Sequence, residues 1–308
     1  MWKHSIGVKV LNNTDPKQGA ANSSAEARFT YEGQSIEFRS VDEKDHILGN
    51  MLRRNTFYEV DVLERIRERV KTRASAAAID AGAFIGTHST YFAKFCGLSP
   101  VVAFEANPNT FPLLKHNIAA NHLTETVIPI GKALGANPGY AVLDCTDTDN
   151  PGGSAVSFVP EALRGSVEVS TLDIEMQALL GRISNVALIK IDVEGAEVAV
   201  LKGAMKTISA QKPVLCIEVH TLVNLRKVLS ILRHENYWII DCLGYSPTYV
   251  LEPTTASYLH KTFVHSLWYV RTAFLDGQSS RLTYLIRWYL RRFAQLASTG
   301  IWDPRTRQ

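Results

Sequence analysis

The sequence predicts an α/β fold in which a mostly parallel β-sheet carries helices on both faces. Short apolar runs of strand length alternate with longer amphipathic stretches of helical length from residue 76 to residue 235. Each helix returns the chain to the edge where the previous strand began, so successive strands are expected to be parallel. Two glycines, Gly82 and Gly86, follow the first of these strands, as in the strand-to-helix turns of nucleotide-binding sheets.

The N-terminal part of the chain, residues 1–73, is predicted to form a cap on this domain. Residues 1–26 are polar and rich in Asn, Ser, Ala and Gly, which predicts a weakly ordered segment. Apolar residues then alternate over residues 27–38 across a central glycine, as in a β-hairpin. Over residues 46–73 they recur at helical spacing, which predicts two amphipathic helices around residues 55–58.

The main domain is predicted to extend over residues 74–272. Its predicted strands are residues 76–80, 101–105, 126–130, 186–191 and 214–218, with two further strand-like runs at 237–241 and 267–270, and its predicted helices are residues 87–96, 109–121, 195–209 and 222–235. Residues 135–165 are rich in Gly, Asp, Asn and Pro, which predicts a long loop before a short run at residues 167–172. Loops of this kind often carry substrate contacts.

The composition argues against several classes of protein. The chain has 33 basic and 30 acidic residues, and its net charge of +3 is far from the excess of a nucleic-acid-binding surface, so no nucleic-acid partner is predicted. The cysteines are Cys96, Cys145, Cys216 and Cys242, and they form no C-x-x-C pair, so neither a disulfide framework nor a structural zinc is expected. No signal-like segment and no apolar run of ~20 residues is present, which predicts a cytoplasmic protein.

The turn after the first strand of the domain combines an acid with two glycines. Asp80 ends the apolar strand, and Gly82 and Gly86 follow at the start of the next helix. Glycine is required where the backbone approaches a ligand closely or adopts a positive φ. Phe84 stands where the dinucleotide motif G-x-G-x-x-G has its middle glycine, which disfavours pyrophosphate binding. The turn is therefore predicted to bind a nucleoside without a pyrophosphate.

A second acid ends the next strand. Glu105 follows Gly82 at about the 20-residue spacing at which a carboxylate binds both ribose hydroxyls of a nucleoside. In the alternative interpretation Asp80 caps a helix or turn and Glu105 is a surface residue, but the glycine spacing favours ligand binding. Nicotinamide dinucleotides and S-adenosylmethionine (SAM) share the ribose requirement. A nucleotide-dependent oxidoreductase and a SAM-binding scaffold without turnover therefore stay open as alternatives to a methyltransferase.

One run of residues carries a family resemblance. Residues 191–197 read Ile-Asp-Val-Glu-Gly-Ala-Glu and are followed by Val-Leu-Lys-Gly-Ala at 200–204. With this run the chain resembles the FkbM family of SAM-dependent methyltransferases. The resemblance also covers residues 58–59, 80–86, 104–108, 170–173 and 213–220. It implies the Rossmann-like class I methyltransferase fold with a seven-stranded sheet, SAM as cofactor, and O-methylation of a hydroxyl on a sugar, glycan or secondary metabolite.

The resemblance also implies a set of site residues. Those expected to bind SAM are Tyr58, Glu59, Asp80, Gly82, Ala83, Phe84, Gly86, Thr87, Glu105, Ala106, Asn107 and Asp192. Asp192 and Glu194 would face both the cofactor and the acceptor. The family usually has Asn in place of Phe84 and often Pro in place of Ala106, which predicts a differently shaped pocket.

The candidate catalytic residues are Asp192, Glu194, Glu218 and His220. The carboxyl ends of parallel strands meet in one crevice, so these side chains are expected near the acceptor. Methyl transfer from a sulfonium requires mainly that the nucleophile is aligned and loses its proton, a role that histidine suits near neutral pH. In the alternative interpretation Asp192 and Glu194 cap the following helix, and His220 is a polar strand-end residue.

Two further features leave alternatives open. Asp192, Glu218 and His220 are competent ligands for a magnesium-like ion, but no close-spaced ligand motif appears, so no metal is predicted.

Residues 281–292 interleave arginines with aromatic and aliphatic residues within a tail, residues 273–308, that is predicted to be helical. This helix either lies on a membrane surface or, as its many apolar positions favour, packs on the domain with its arginines outward. The sequence does not predict an oligomeric state.

Overall fold

The computed structural model describes residues 25–40, 45–144, 155–244 and 246–254. The strands are β1 (Ala25–Tyr31), β2 (Gln34–Ser40), β3 (Ala77–Ala81), β4 (Val101–Phe104), β5 (Val127–Ile130), β6 (Ala133–Leu134), β7 (Gly139–Asp144), β8 (Ala155–Val159), β9 (Val167–Ser170), β10 (Val186–Ile191), β11 (Val214–Glu218), β12 (Tyr237–Leu243) and β13 (Thr248–Pro253). The helices are α1 (His46–Arg54), α2 (Val60–Val70), α3 (Thr87–Phe95), α4 (Phe111–Ala120), α5 (Leu172–Ala178), α6 (Glu197–Lys202), α7 (Met205–Gln211) and α8 (Leu222–Leu232).

Seven strands form the main sheet, in the order β12-β13-β11-β10-β3-β4-β5. The strands from β11 to β5 pair in parallel, whereas β13 is antiparallel to both of its neighbours. The central strands β3 and β10 are buried along their whole length, as expected for parallel strands covered on both faces. This sheet confirms the predicted Rossmann-like α/β fold.

The helices cover the two faces of the sheet with separate cores. In β11, Val214 and Cys216 point into a core that also contains residues of α2, α3 and α4. Leu215 and Ile217 point into the other core, with residues of α6, α7 and α8. Because successive side chains of a strand point to opposite faces, one apolar run serves both cores.

The order of the strands places a crevice between β3 and β10. From β3 the chain adds β4 and β5 on one side, and it later adds β10 and β11 on the other. The connections therefore diverge at the carboxyl ends of β3 and β10, which is where open α/β sheets bind their ligands.

The cap contains the predicted hairpin and helices, and its core is continuous with that of the main domain. β1 and β2 pair antiparallel through the turn at Glu32 and Gly33. Phe57, between α1 and α2, is fully buried and meets five other rings edge-on, those of Phe29, Tyr31, Phe38, Tyr91 and Phe95, at centroid distances of 5.1 to 6.1 Å. Tyr91 and Phe95 lie on α3, so the hairpin is anchored to the domain. The domain boundary after residue 73 stays a prediction.

The prediction of a long loop over residues 135–165 is wrong in its described part. β7 and β8 form an antiparallel hairpin within a four-stranded sheet of order β6-β9-β7-β8. The turn-forming residues are concentrated in residues 135–139 and 145–154. Residues 140–144 and 155–159, which follow these two stretches, are rich in strand-forming residues. These segments become strands because they pair with each other and with β9.

The predicted helix over residues 195–209 is two helices, α6 and α7, separated by Gly203 and Ala204. A Cβ atom at Gly203 would lie 2.0 Å from the carbonyl oxygen of Gly135, and the Gly203 carbonyl accepts a hydrogen bond of 2.9 Å from the Asp173 N–H. A long-range backbone contact therefore interrupts the helical periodicity.

The spacing of apolar residues in the sequence also did not predict α5, β6 or β13. The last described strand is β13, and the expected strand at residues 267–270 lies outside the described residues, as do the N-terminal segment 1–24 and the tail 273–308. Among the residues that the structure describes, no helix is long and apolar enough to cross a membrane.

Candidate active site

A pocket of about 270 Å³ opens at the carboxyl ends of β3, β4, β10 and β11. Thirteen of the predicted site residues line it: Tyr58, Glu59, Gly82, Ala83, Phe84, Thr87, Glu105, Ala106, Asn107, Asp192, Glu194, Glu218 and His220. Asp80 and Gly86 do not line it. The pocket lies at the crevice that the strand order creates, so the predicted cofactor residues and the predicted catalytic residues share one cavity.

Gly82 is the point at which two segments of backbone meet. It has a φ of +80°, and the N–H groups of Gly82 and Ala83 donate to the Phe104 carbonyl at 3.0 and 2.8 Å. A Cβ atom at Gly82 would lie 1.8 Å from the carbonyl oxygen of Asp192. The turn after β3 therefore requires glycine because the backbone after β10 occupies the space of a side chain.

Gly86 serves helix packing. It has a φ of +89° and immediately precedes α3. A Cβ atom there would lie 2.7 Å from Leu114 Cδ1 on α4, so the glycine allows α3 and α4 to approach each other. It was expected to contact the cofactor, but the structure places it outside the pocket.

Glu105 connects the turns that follow β3 and β4. Its Oε2 accepts a hydrogen bond of 2.8 Å from the Phe84 N–H, and its Oε1 accepts one of 2.7 Å from the Asn107 N–H. The residue is 9% exposed, and burial raises the pKa of its carboxyl to about 6 although the two backbone N–H groups oppose the rise. Each carboxylate oxygen keeps a lone pair beyond these bonds, so Glu105 is able to accept hydroxyl groups from a ligand.

Asp80 lies behind the pocket. Its side chain is fully buried, and its Oδ2 accepts a hydrogen bond of 2.6 Å from Ser89 Oγ. Its Oδ1 lies 3.3 Å from Lys190 Nζ. The Asp80 side chain therefore contacts Ser89 and Lys190 and does not line the pocket, and its expected contact with a cofactor stays a prediction.

Lys190 was missed by the sequence reasoning. Its Nζ donates a hydrogen bond of 2.9 Å to the Gly82 carbonyl and lies 3.2 Å from Asp192 Oδ2. The residue is 5% exposed, and although burial acts to lower the pKa of Lys190, the charges of Asp192 and Asp80 outweigh it and raise the pKa. The sequence did contain a signal for Lys190, because a lysine within the apolar strand Val186–Ile191 requires a buried partner of opposite charge.

Asp192 and Glu218 form a pair that holds a proton. Burial, then the charge of Asp192 and the hydrogen bond between the two carboxyls, raise the pKa of Glu218. Burial acts in the same direction on Asp192, but the charge of Lys190 outweighs it and lowers the pKa of Asp192. A proton shared by the two carboxyls is therefore favoured on Glu218 over Asp192.

His220 lies beside this pair and is accessible. Its Nε2 lies 3.4 Å from Glu218 Oε1 and 3.9 Å from Glu194 Oε2, and its side chain is 48% exposed. Burial, followed by the charge of Asp192, raises the pKa of Glu194. The imidazole thus has two carboxyl groups beside it and solvent within reach, which suits a group that exchanges protons with a ligand and with water.

Glu59, which immediately precedes α2, is a further acidic residue of the pocket. Burial and the charge of Asp192 raise the pKa of Glu59 to about 7, although Lys190 opposes the rise. Burial and the charge of Glu59 raise the pKa of Tyr58 to about 12. His88 Nε2 lies 3.8 Å from Glu59 Oε2, and burial followed by the charge of Lys190 lowers the pKa of His88 to about 4. His88 is therefore neutral at neutral pH.

The small sheet contributes pocket residues that the sequence reasoning did not assign. The pocket lining from the small sheet and the residue before it consists of Lys132, Ala133, Leu134 and Leu143. Other elements contribute His46, Ile47 and Ser246. Lys132 Nζ lies 2.8 Å from a Glu168 carboxylate oxygen and 3.1 Å from one of Glu175, so its charge is balanced within the sheet region. Across the described ranges, no three His, Cys, Asp or Glu residues are placed to hold a metal ion.

The sequence from β3 to the middle of β12 matches a known family. Residues 80–239 match the sequence profile of the methyltransferase FkbM domain. The chain belongs to this family. The match confirms the resemblance, and the FkbM domain contains Glu105, Lys190, Asp192, Glu194, Glu218 and His220. It supports a methyltransferase over the nucleotide-dependent oxidoreductase that the sequence left open.

Individual relatives of the FkbM domain agree with the family. The chain is 30% identical over 154 residues to the hexuronic acid methyltransferase AglP of Haloferax volcanii, and the match covers 50% of this chain and 59% of AglP. It is thus similar to little more than half the length of that relative.

Two solved structures of methyltransferases align with part of the chain. The methyltransferase FkbM of Methylobacillus flagellatus is 16% identical and aligns with a TM-score of 0.43 over 68% of this chain and 62% of its own. The precorrin-6y C5,15-methyltransferase of Geobacter metallireducens is 13% identical, with a TM-score of 0.41 over 64% of this chain and 88% of its own.

Proposed function

We propose that this protein is a SAM-dependent O-methyltransferase that acts on a hydroxyl group of a saccharide. The observation that carries the proposal is a single pocket in which Glu105 lies at the end of β4 while Asp192, Glu218 and His220 follow β10 and β11. The carboxylate proposed to bind ribose and the cluster proposed to accept a proton therefore line the same cavity. Membership of the FkbM family supports methyl transfer. The similarity to AglP, a hexuronic acid methyltransferase, supports a sugar as acceptor.

The pocket fits SAM because of the carboxyl groups that line it. Glu105 is desolvated and has lone pairs left for the two ribose hydroxyls. Carboxyl groups of Glu59, Asp192 and Glu194 line the same cavity and suit a cationic ligand. SAM supplies an activated methyl group on a positively charged sulfur. The residues that would hold it are those of the turn around Gly82, together with Tyr58, Glu59, Glu105 and Asp192.

His220 is proposed as the base. The hydroxyl proton of the acceptor passes to the imidazole, and the carboxylate of Glu194, 3.9 Å from His220 Nε2, lies close enough to stabilise the charge that it acquires. The side chain is about half exposed, so the proton can then leave to water. Asp192, held ionised by Lys190, is suited to accept a hydrogen bond from the acceptor hydroxyl and align it.

The cofactor is tested by isothermal titration of the protein with SAM, S-adenosylhomocysteine (SAH) and NAD. The expected result is binding of the two adenosyl ligands without binding of NAD. Binding of NAD alone would contradict the proposal, and so would the absence of binding by either adenosyl ligand.

The reaction is tested with SAM that carries an isotopic label on its methyl group. A panel of neutral sugars, amino sugars and hexuronic acids is incubated with the protein, and labelled products are identified by mass spectrometry. Label on a sugar oxygen is the expected result. Transfer to nitrogen or carbon alone would exclude O-methylation, and the absence of transfer to any acceptor would favour a SAM-binding scaffold.

The base is tested by His220→Ala, with His234→Ala as a control at an exposed histidine outside the pocket. General-base catalysis contributes about 10²- to 10⁴-fold, so His220→Ala should lose activity within that range. His234→Ala should retain the wild-type rate. An unchanged rate and pH profile after His220→Ala would remove His220 from this role.

A further inference from the structure

Lys190 lies between the two backbone segments that form the floor of the pocket. β3 and β10 are parallel neighbours, and Lys190 stands opposite Asp80 in their register. Its ammonium group extends to the carboxyl edge of the sheet, where it donates to the Gly82 carbonyl at 2.9 Å and lies 3.2 Å from Asp192 Oδ2. It therefore contacts the turn after β3 and the turn after β10 at the same time.

The ammonium group donates a hydrogen bond to one carbonyl and lies within ion-pair distance of two carboxylates. A lysine carries three N–H donors, and its partners here are the Gly82 carbonyl, Asp80 and Asp192. The side chain is almost completely buried, so water has little access to replace a lost partner. The backbone at Gly82 already approaches the Asp192 carbonyl so closely that a Cβ atom would clash. A small displacement of either segment would therefore change the shape of the pocket.

We propose that Lys190 is a positioning residue, which holds the Gly82 turn against Asp192 and so forms the ligand pocket before a ligand binds. This inference rests on the proposed function, because the ligand that reports on it is SAH. Lys190 acts through Gly82 and Asp192, so it requires no reaction chemistry of its own.

A purely structural role would be different. In that case Lys190 would serve only to balance the buried charge of Asp80, and the pocket would form without it. Lys190→Met alone does not separate the two roles, because it leaves Asp80 buried beside Ser89 without a cation and is expected to lower the melting temperature. Adding Asp80→Asn removes the unpaired charge and leaves an amide that can still bond Ser89.

The test compares the unchanged protein, Lys190→Met, and the double variant Lys190→Met with Asp80→Asn, with melting temperature and SAH affinity measured on each. Lys227→Met, at an exposed position on α8, is the matched control and should bind SAH as the unchanged protein does. For a positioning role, the double variant should recover most of the melting temperature lost in Lys190→Met but bind SAH at least about tenfold more weakly than the unchanged protein.

SAH affinity of the double variant within about twofold of the unchanged protein would overturn the inference. If the double variant does not fold, Lys190→Leu with Asp80→Asn provides the same comparison, because it also removes both charges and the donor to the Gly82 carbonyl. A failure of the proposed function is seen separately, since the unchanged protein would then bind no SAH.

Discussion

The carboxylate of Glu105 bonds the Phe84 N–H, which belongs to the turn after β3, at 2.8 Å. Its other oxygen bonds the Asn107 N–H at 2.7 Å, so one side chain fixes the turns of two adjacent strands. Both bonds are charge-assisted when the carboxyl is ionised, and such bonds are roughly twice as strong as hydrogen bonds between neutral groups. The position of Glu105 in the pocket is therefore determined before any ligand is present.

Glu105→Gln should weaken SAH binding by about tenfold or more. The amide offers one acceptor and one NH₂ group, so one of the two backbone N–H groups faces another donor, and a hydrogen bond to a charged group contributes about 1.5 to 3 kcal/mol. Isothermal titration measures the effect, with Glu125→Gln as a control at an exposed glutamate. Equal SAH affinities for Glu105→Gln and the unchanged protein would exclude Glu105 from ligand binding.

Gly82→Ala should destabilise the protein by about 2 to 5 kcal/mol. A positive φ alone costs a non-glycine residue about 1 to 2 kcal/mol, and the overlap with the Asp192 carbonyl adds a packing cost of about 1 to 3 kcal/mol. Gly181→Ala is the matched control, because Gly181 also has a positive φ but has no atom within 4 Å of an added Cβ. Urea unfolding measures both variants, and equal losses would show that the close approach at Gly82 contributes nothing.

Glu59 should make the stability depend on pH. Burial and the charge of Asp192 raise the pKa of Glu59 from 4.5 to about 7, so the folded state holds this proton more tightly than the unfolded chain does. The ionised form is thus disfavoured in the folded state, and stability is lost as the pH rises from about 4.5 to about 7. The full loss is on the order of 3 kcal/mol.

Glu59→Gln removes this titration. Its free energy of unfolding, relative to that of the unchanged protein, should therefore increase between pH 5 and pH 8 by most of that amount. His88, whose pKa is lowered to about 4, acts in the opposite sense, but it is present in both proteins and largely cancels in the difference. Urea unfolding at the two pH values measures the difference, and a pH-independent difference would contradict the shift at Glu59.

Phe57→Ala should destabilise the protein by about 3 to 5 kcal/mol, the usual cost of removing a buried phenylalanine. Its ring contacts rings of the hairpin and of α3, so the loss of this packing should also loosen the cap from the domain. Phe158→Ala, at a ring that is 46% exposed, should cost much less. Thermal unfolding compares the two variants, and a similar loss for both would show that the cap does not depend on this cluster.

Local patterns in the sequence were sufficient for the parallel strands of the main sheet and for half of the residues that line the pocket. β10 and β11 begin and end where the apolar runs predict, because a strand buried on both faces needs an uninterrupted apolar segment. The turn at Gly82 was recognised from its glycine spacing. Glu105 was recognised because the carboxyl end of a parallel strand always faces the crevice.

The sequence alone did not locate the small sheet or the break between α6 and α7. Both depend on contacts between residues far apart in the chain, such as the pairing of β7 with β8 and the approach of Gly203 to the Gly135 carbonyl. Propensity and periodicity report only on neighbouring residues, so long-range pairing overrides them.

The sequence by itself determined the fold class, the family and the edge of the sheet at which the pocket opens, because these follow from the order of strands and from local motifs. Only the tertiary structure decided that Asp80 lies behind the pocket, that Lys190 joins the two turns, and that the pKa of Glu218 is raised while that of Asp192 is lowered. The reason is physical, since the charge state of a buried group depends on burial and on the distances to other charges. Those distances are set by packing and are not encoded by any short stretch of residues.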